Sequence, residues 1–80
     1  MERELITEKL ERLIAEYIGD IKMDNDSDLM AQPAVLQPHS MAALFLDIER
    51  EFSIDLNALV PRLNLFSPRA ITDEIFLLVS

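Results

Sequence analysis

Apolar residues recur along the first eighteen positions at steps of three and four: Leu5, Ile6, Leu10, Leu13, Ile14, Tyr17 and Ile18. On a helix this spacing gathers them on one stripe, which predicts a first helix over roughly residues 3–18. Glu8, Glu11 and Arg12 fall on the other side, and Gly19 stands where a helix C-terminal stop belongs. The stretch "DIKMDNDSDLMAQPAVLQP", Asp20 to Pro38, has no helical period, two prolines and many Asp and Asn. It predicts a long loop with a short turn near Asp28–Gln32, and loops of this length in small domains are usually functional or partly mobile. A second stripe, Met41, Leu44, Phe45, Ile48 and Phe52, predicts a second helix that begins after Ser40, with Leu46 off the stripe. Pro61 keeps the apolar segment around Leu59–Leu65 from being a long helix. Ser67-Pro68 is a helix start signal, with Ser as cap and Pro at the first position. The last helix then runs from Pro68 to about Val79 and buries Ala70, Ile71, Ile75, Leu78 and Val79.

The expected fold is therefore all-α, a small four-helix bundle with a long loop between helices one and two. The first, second and last helices pack together and the short third one bridges them. Eighty residues with 50% hydrophobic content suit a single domain spanning 1–80. One Gly, no Trp and many Leu, Ile, Ala and Glu favour helix over sheet. With no Cys there is no disulfide and no thiolate chemistry, so the fold rests on its core, as suits a reducing cytoplasm. The charged opening "MERELITEKLERL" lacks the apolar stretch of a signal peptide, and no apolar run approaches bilayer length. Seven basic against fifteen acidic residues leave a net charge of −8, which repels nucleic acid and anionic lipid and suits docking on basic patches. The same charge also serves solubility.

Little catalytic chemistry is on offer. Asp24-Asn25-Asp26-Ser27-Asp28 opens like a calcium loop, but Leu29 stands where a Gly is needed and Val35 where a bidentate Glu is needed. The one histidine, His39, cannot make a zinc site, so no metal is expected. His39 and Ser40 are chain neighbours, and such side chains seldom meet as base and nucleophile. No glycine-rich phosphate loop is present. The chain is expected to be a substrate or partner of enzymes and not an enzyme. Ser40 keeps two compatible uses, cap of the second helix or attachment site for a group. Met23, Met30 and Met41 read as core fillers.

The order of elements, the acidity and a serine opening the second helix resemble the acyl carrier and peptidyl carrier proteins. "LQPHSM" stands where that family often has L-G-x-D-S-L or G-G-H-S-L, "DIEREFSIDL" resembles the end of its second helix, and "FSPRAITDEI" the start of its last. The resemblance implies a phosphoprotein-like carrier of helical-bundle fold whose Ser40, flanked by His39 and Met41, bears 4′-phosphopantetheine donated by coenzyme A. The cargo would be an acyl, aminoacyl or peptidyl thioester in fatty acid, polyketide, nonribosomal peptide or other specialised biosynthesis. It implies a cytoplasmic monomer served by a phosphopantetheinyl transferase and by loading and transferring enzymes. Asp47, Glu49 and Glu51, on the surface of the second helix, are the expected docking residues. The alternative is a carrier-like adaptor without the arm, bound to a partner enzyme through that acidic helix.

Overall fold

The computed structural model describes residues 2–19, 26–31 and 36–79, and among these every regular element is helical. In chain order they are α1 (Arg3–Ile18), α2 (Pro38–Phe52), α3 (Leu56–Leu59), a 3₁₀ turn (Val60–Arg62) and α4 (Pro68–Val79). Met23, Asp24, Asn25 and Val35 lie outside the described residues.

α1 packs against both α2 and α4, while α3 touches α2 and α4 and so closes the gap between them. Each stripe supplies the core. Ile6, Leu10 and Ile14 come from α1; Met41, Leu44, Phe45, Ile48 and Phe52 from α2; Ile71 and Ile75 from α4. Leu5, read as part of the first stripe, is 42% exposed; the buried line begins one residue later, at Ile6. Tyr17, Ile18 and Leu13 are only half-buried and pack on the edge of the core. Met30 does the same, while Met41 is buried. No described helix is long and apolar enough to cross a membrane.

The helix ends follow local chemistry. Gly19 leaves α1 at φ 66° with its N–H on the Ala15 carbonyl at 2.8 Å, a backbone turn that glycine makes without a Cβ penalty. Ser53 takes the left-handed conformation after α2 (φ 53°), where its N–H meets the Glu49 carbonyl. Asp55 caps α3 by accepting the Asn57 N–H at 2.9 Å. That cap starts the third helix at Leu56, upstream of the segment expected around Leu59–Leu65, and Pro61 falls in the 3₁₀ turn after it.

The described part of the first loop is pinned rather than solvated. Leu29 is fully buried, and its N–H meets the Phe66 carbonyl at 2.9 Å, while the Leu36 N–H returns to the Leu29 carbonyl at 2.8 Å. The Asp28 carboxylate accepts the Met30 N–H (2.7 Å) and the Phe66 N–H (3.2 Å). Asp28 thus ties the loop to the segment before α4, and the Ala31 N–H on its carbonyl makes the short turn expected there.

Candidate functional site

Leu36 is buried and anchors the chain just ahead of α2. Gln37 then takes the N-cap position in extended backbone, Pro38 occupies the first helical position, and the Met41 N–H is the first to reach a carbonyl four residues back (Gln37, 2.9 Å). This corrects the expected start of the second helix. Ser40 is not its cap but its third residue, because proline's fixed φ and missing N–H suit the first helical position and pull the start three residues upstream.

The consequence is an open helix head. Gln37 makes no side-chain capping bond, so the N–H groups of His39 and Ser40, which have no helical acceptor by position, are not met by its side chain. Ser40 is half-buried, and no described group hydrogen-bonds its hydroxyl. His39 is exposed and Met41 is buried, so of the two flanking residues one faces outward and the other joins the core. Chemically, the arrangement offers a primary alcohol in a first helical turn, beside unpaired N–H groups and the positive end of a helix dipole. Those features favour negative charge, such as a phosphodiester, close to the hydroxyl. No described group stands by as a general base for it.

The three carboxylates expected to face partners are each engaged within the chain. Asp47 accepts the Tyr17 hydroxyl at 2.5 Å, which ties α2 to α1. Glu51, one turn further along the same side, meets Lys9 of α1 at 3.5 Å. Glu49 lies about 200° around the helix from either. Its carboxylate accepts the Leu56 N–H at 3.3 Å, and its carbonyl accepts the N–H of Ile54, so it holds the turn into α3. Asp47 and Glu49 are half-buried and Glu51 is exposed. The hydrogen bond to Asp47 comes first among the causes that raise the Tyr17 pKa, followed by burial and by the negative charges of Asp47 and Glu16.

Sequence reasoning left the outward face of α2 open. His39, Ala42, Leu46 and Arg50 follow one another at steps of three and four and are all exposed, with Leu46 at 49%. Leu46 is left half exposed at the surface, and this stripe next to Ser40 carries an apolar centre and a basic end instead of carboxylates. The signal was available: Leu46 alone broke the apolar period. Among the described residues no group of three metal-binding side chains occurs. Comparison with protein-family models, with curated proteins and with solved structures gives no match.

Proposed function

We propose that the chain is a carrier domain with an acyl-carrier-like helical bundle, holding its cargo as a thioester on 4′-phosphopantetheine attached to Ser40. The observation that supports this reading is the open head of α2, with an unpartnered Ser40 hydroxyl beside N–H groups that no side chain caps. A carrier needs no base of its own, because the transferase brings Mg²⁺ and activates the serine. The Ser40 Oγ–P bond forms as a P–O bond of the coenzyme A pyrophosphate breaks, the adenosine bisphosphate half leaves, and the hydroxyl proton passes to the transferase. The partners are that transferase and the cytoplasmic enzymes that load and unload the arm.

The test is intact-mass measurement after incubation with coenzyme A and a broad-specificity phosphopantetheinyl transferase. Wild type should gain the mass of one phosphopantetheine, Ser40→Ala none, and His39→Ala should be modified only modestly more slowly. Modification of Ser40→Ala at another residue, such as Ser27, would overturn the assignment.

One observation favours the adaptor as a second reading. Pro38, not serine, opens α2, and the chain from Ser40 to Phe52 is two residues shorter than carriers usually have, about 200° of helix rotation. In that case α2 serves as a docking helix, with the stripe around Leu46 in contact with the partner. Wild type that gains no mass with any transferase supports it.

A further inference from the structure

α1 and α4 leave a groove of about 330 Å³ between them, well away in the sequence from Ser40. Its walls carry both signs of charge, Arg3 and Glu11 from α1 and Arg69 from α4, over an apolar floor of Leu10 and Pro68. Two threonines also line it, Thr7 from α1 and Thr72 from α4. The Thr7 hydroxyl donates to the Arg3 carbonyl at 3.1 Å, which leaves its lone pairs to accept. Thr72 is 97% buried, with 3% of its surface exposed, yet its side chain makes no hydrogen bond. No fully enclosed polar side-chain atom among the described residues lacks a partner, so the Thr72 hydroxyl keeps some exposure, and Thr72 lines the groove. A hydroxyl with no protein partner at the groove's wall is free to donate to, or accept from, what enters it.

We infer that this groove binds a small zwitterion of the α-amino acid class. Such a ligand's carboxylate is placed on Arg69, on the Thr72 hydroxyl and on the Arg69 N–H, which at the second position of α4 has no helical acceptor. The ammonium is placed on Glu11 and the Thr7 oxygen, and a short aliphatic side chain on Leu10 and Pro68. The neighbouring charges decide against simpler ligands. Arg3 is paired with Asp73 and Arg69 with Asp26 (3.3 Å), so a bare anion meets Glu11, Asp26 and Asp73 in a chain of net charge −8. Of the charges that line the groove itself, two are the guanidiniums of Arg3 and Arg69 and one is the Glu11 carboxylate, so a bare cation is opposed there. A ligand with both charges and no net charge is repelled by neither. The pairs themselves yield readily, because all four side chains are about half exposed and such pairs contribute little.

The inference does not involve Ser40, and Ser40→Ala should bind as wild type does. Its test is a titration of the whole chain, at constant ionic strength, followed by amide ¹H–¹⁵N shifts. The probes are L-valine, sodium acetate and methylammonium chloride. L-valine should give saturable, millimolar shifts centred on Thr7, Glu11, Arg69 and Thr72, and neither single-charge probe should. Arg69→Gln and Glu11→Gln, both at exposed positions, should each weaken binding about tenfold, equal to about 1.4 kcal/mol. Thr72→Val should weaken it similarly, with Thr72→Ser restoring it. Saturable shifts with acetate equal to those with L-valine would overturn the zwitterion assignment in favour of an oxyanion site. Absence of saturable shifts with L-valine, or unchanged affinity in Arg69→Gln and Glu11→Gln, overturns the site itself.

Discussion

α2 and α4 begin with the same two residue types in opposite order, and their heads differ accordingly. In α4, Ser67 precedes Pro68; the serine is the cap, its Oγ accepts the Ala70 N–H at 3.1 Å, and it is buried at 3% exposure. In α2, Pro38 precedes Ser40 by two; the cap falls to Gln37, which makes no capping bond, and the serine is carried into the first turn with its hydroxyl unengaged. Proline takes the first helical position in both cases because it has no N–H to lose there. A serine before it is consumed by the fold, and a serine after it is left available for chemistry. The middle of α2 reaches the approach to α4, where the Phe45 ring stands edge-on to the half-buried Phe66, with centroids 5.6 Å apart and planes at 73°.

The largest effect should come from that shared ring contact. Phe45→Ala removes a buried aromatic from α2 and its edge-to-face partner, and should cost about 3–5 kcal/mol, enough to unfold most of so small a domain. Phe66 is only half-buried, so Phe66→Ala should cost clearly less. Urea denaturation followed by circular dichroism measures both, and equal losses would mean that Phe66 contributes to the core as much as Phe45 does.

Next in size is the contrast between the serines. Ser67→Ala should cost about 1–2 kcal/mol, since it removes the cap of α4 and leaves a part-buried N–H without its acceptor. Ser40→Ala should change stability by no more than about 0.5 kcal/mol, because alanine is a better helix former and no bond is lost. A Ser40→Ala loss as large as that of Ser67→Ala would show that Ser40 caps α2 after all.

The stripes of α1 and α2 were largely legible in the sequence because each core position repeats with the helix. Ser67-Pro68 marked the start of α4 to the residue, but of its expected buried side only Ile71 and Ile75 are buried, while Ala70, Leu78 and Val79 are half-buried. The start of α2 was misread because a serine ahead of an apolar run resembles a cap, although Pro38 two residues earlier carried the stronger signal. What remained hidden depends on contacts between distant segments. Asp28 looked like a failed calcium ligand, yet it holds the Phe66 N–H 38 residues away. The Asp47 carboxylate looked solvated until α1 brought Tyr17 to it. The unengaged state of the Ser40 hydroxyl was equally invisible, since it follows from where the helix begins.

A smaller effect concerns how α2 is fastened downstream of its open head. Tyr17→Phe removes the hydrogen bond to Asp47 and should cost about 0.5–1.5 kcal/mol at neutral pH. In the folded state the Tyr17 pKa is raised, so its contribution is fully present below the unfolded value near 10 and is lost as pH rises through the folded value. Tyr17 is the only tyrosine and there is no Trp, so tyrosinate absorbance follows this one group. Its midpoint should lie above that of the urea-unfolded chain, and coincident midpoints would mean that the tie to Asp47 does not form in solution.

The smallest expected change makes α2 resemble α4. Gln37→Asp places a capping carboxylate at the N-cap, where it can accept the N–H of His39 or Ser40. Stability should rise by about 0.5–1 kcal/mol, the gain from adding a cap to an uncapped helix head. The same carboxylate would occupy the N–H groups that a phosphodiester on Ser40 would use, and it would set a negative charge beside the incoming phosphate. Phosphopantetheine transfer to the variant should therefore be slower than to wild type even though the fold is firmer. Denaturation midpoints and the initial rate of mass gain measure the two effects separately. If Gln37→Asp left stability unchanged, the head of α2 would already be satisfied; if it raised stability without slowing transfer, the unpaired N–H groups would take no part in receiving the arm.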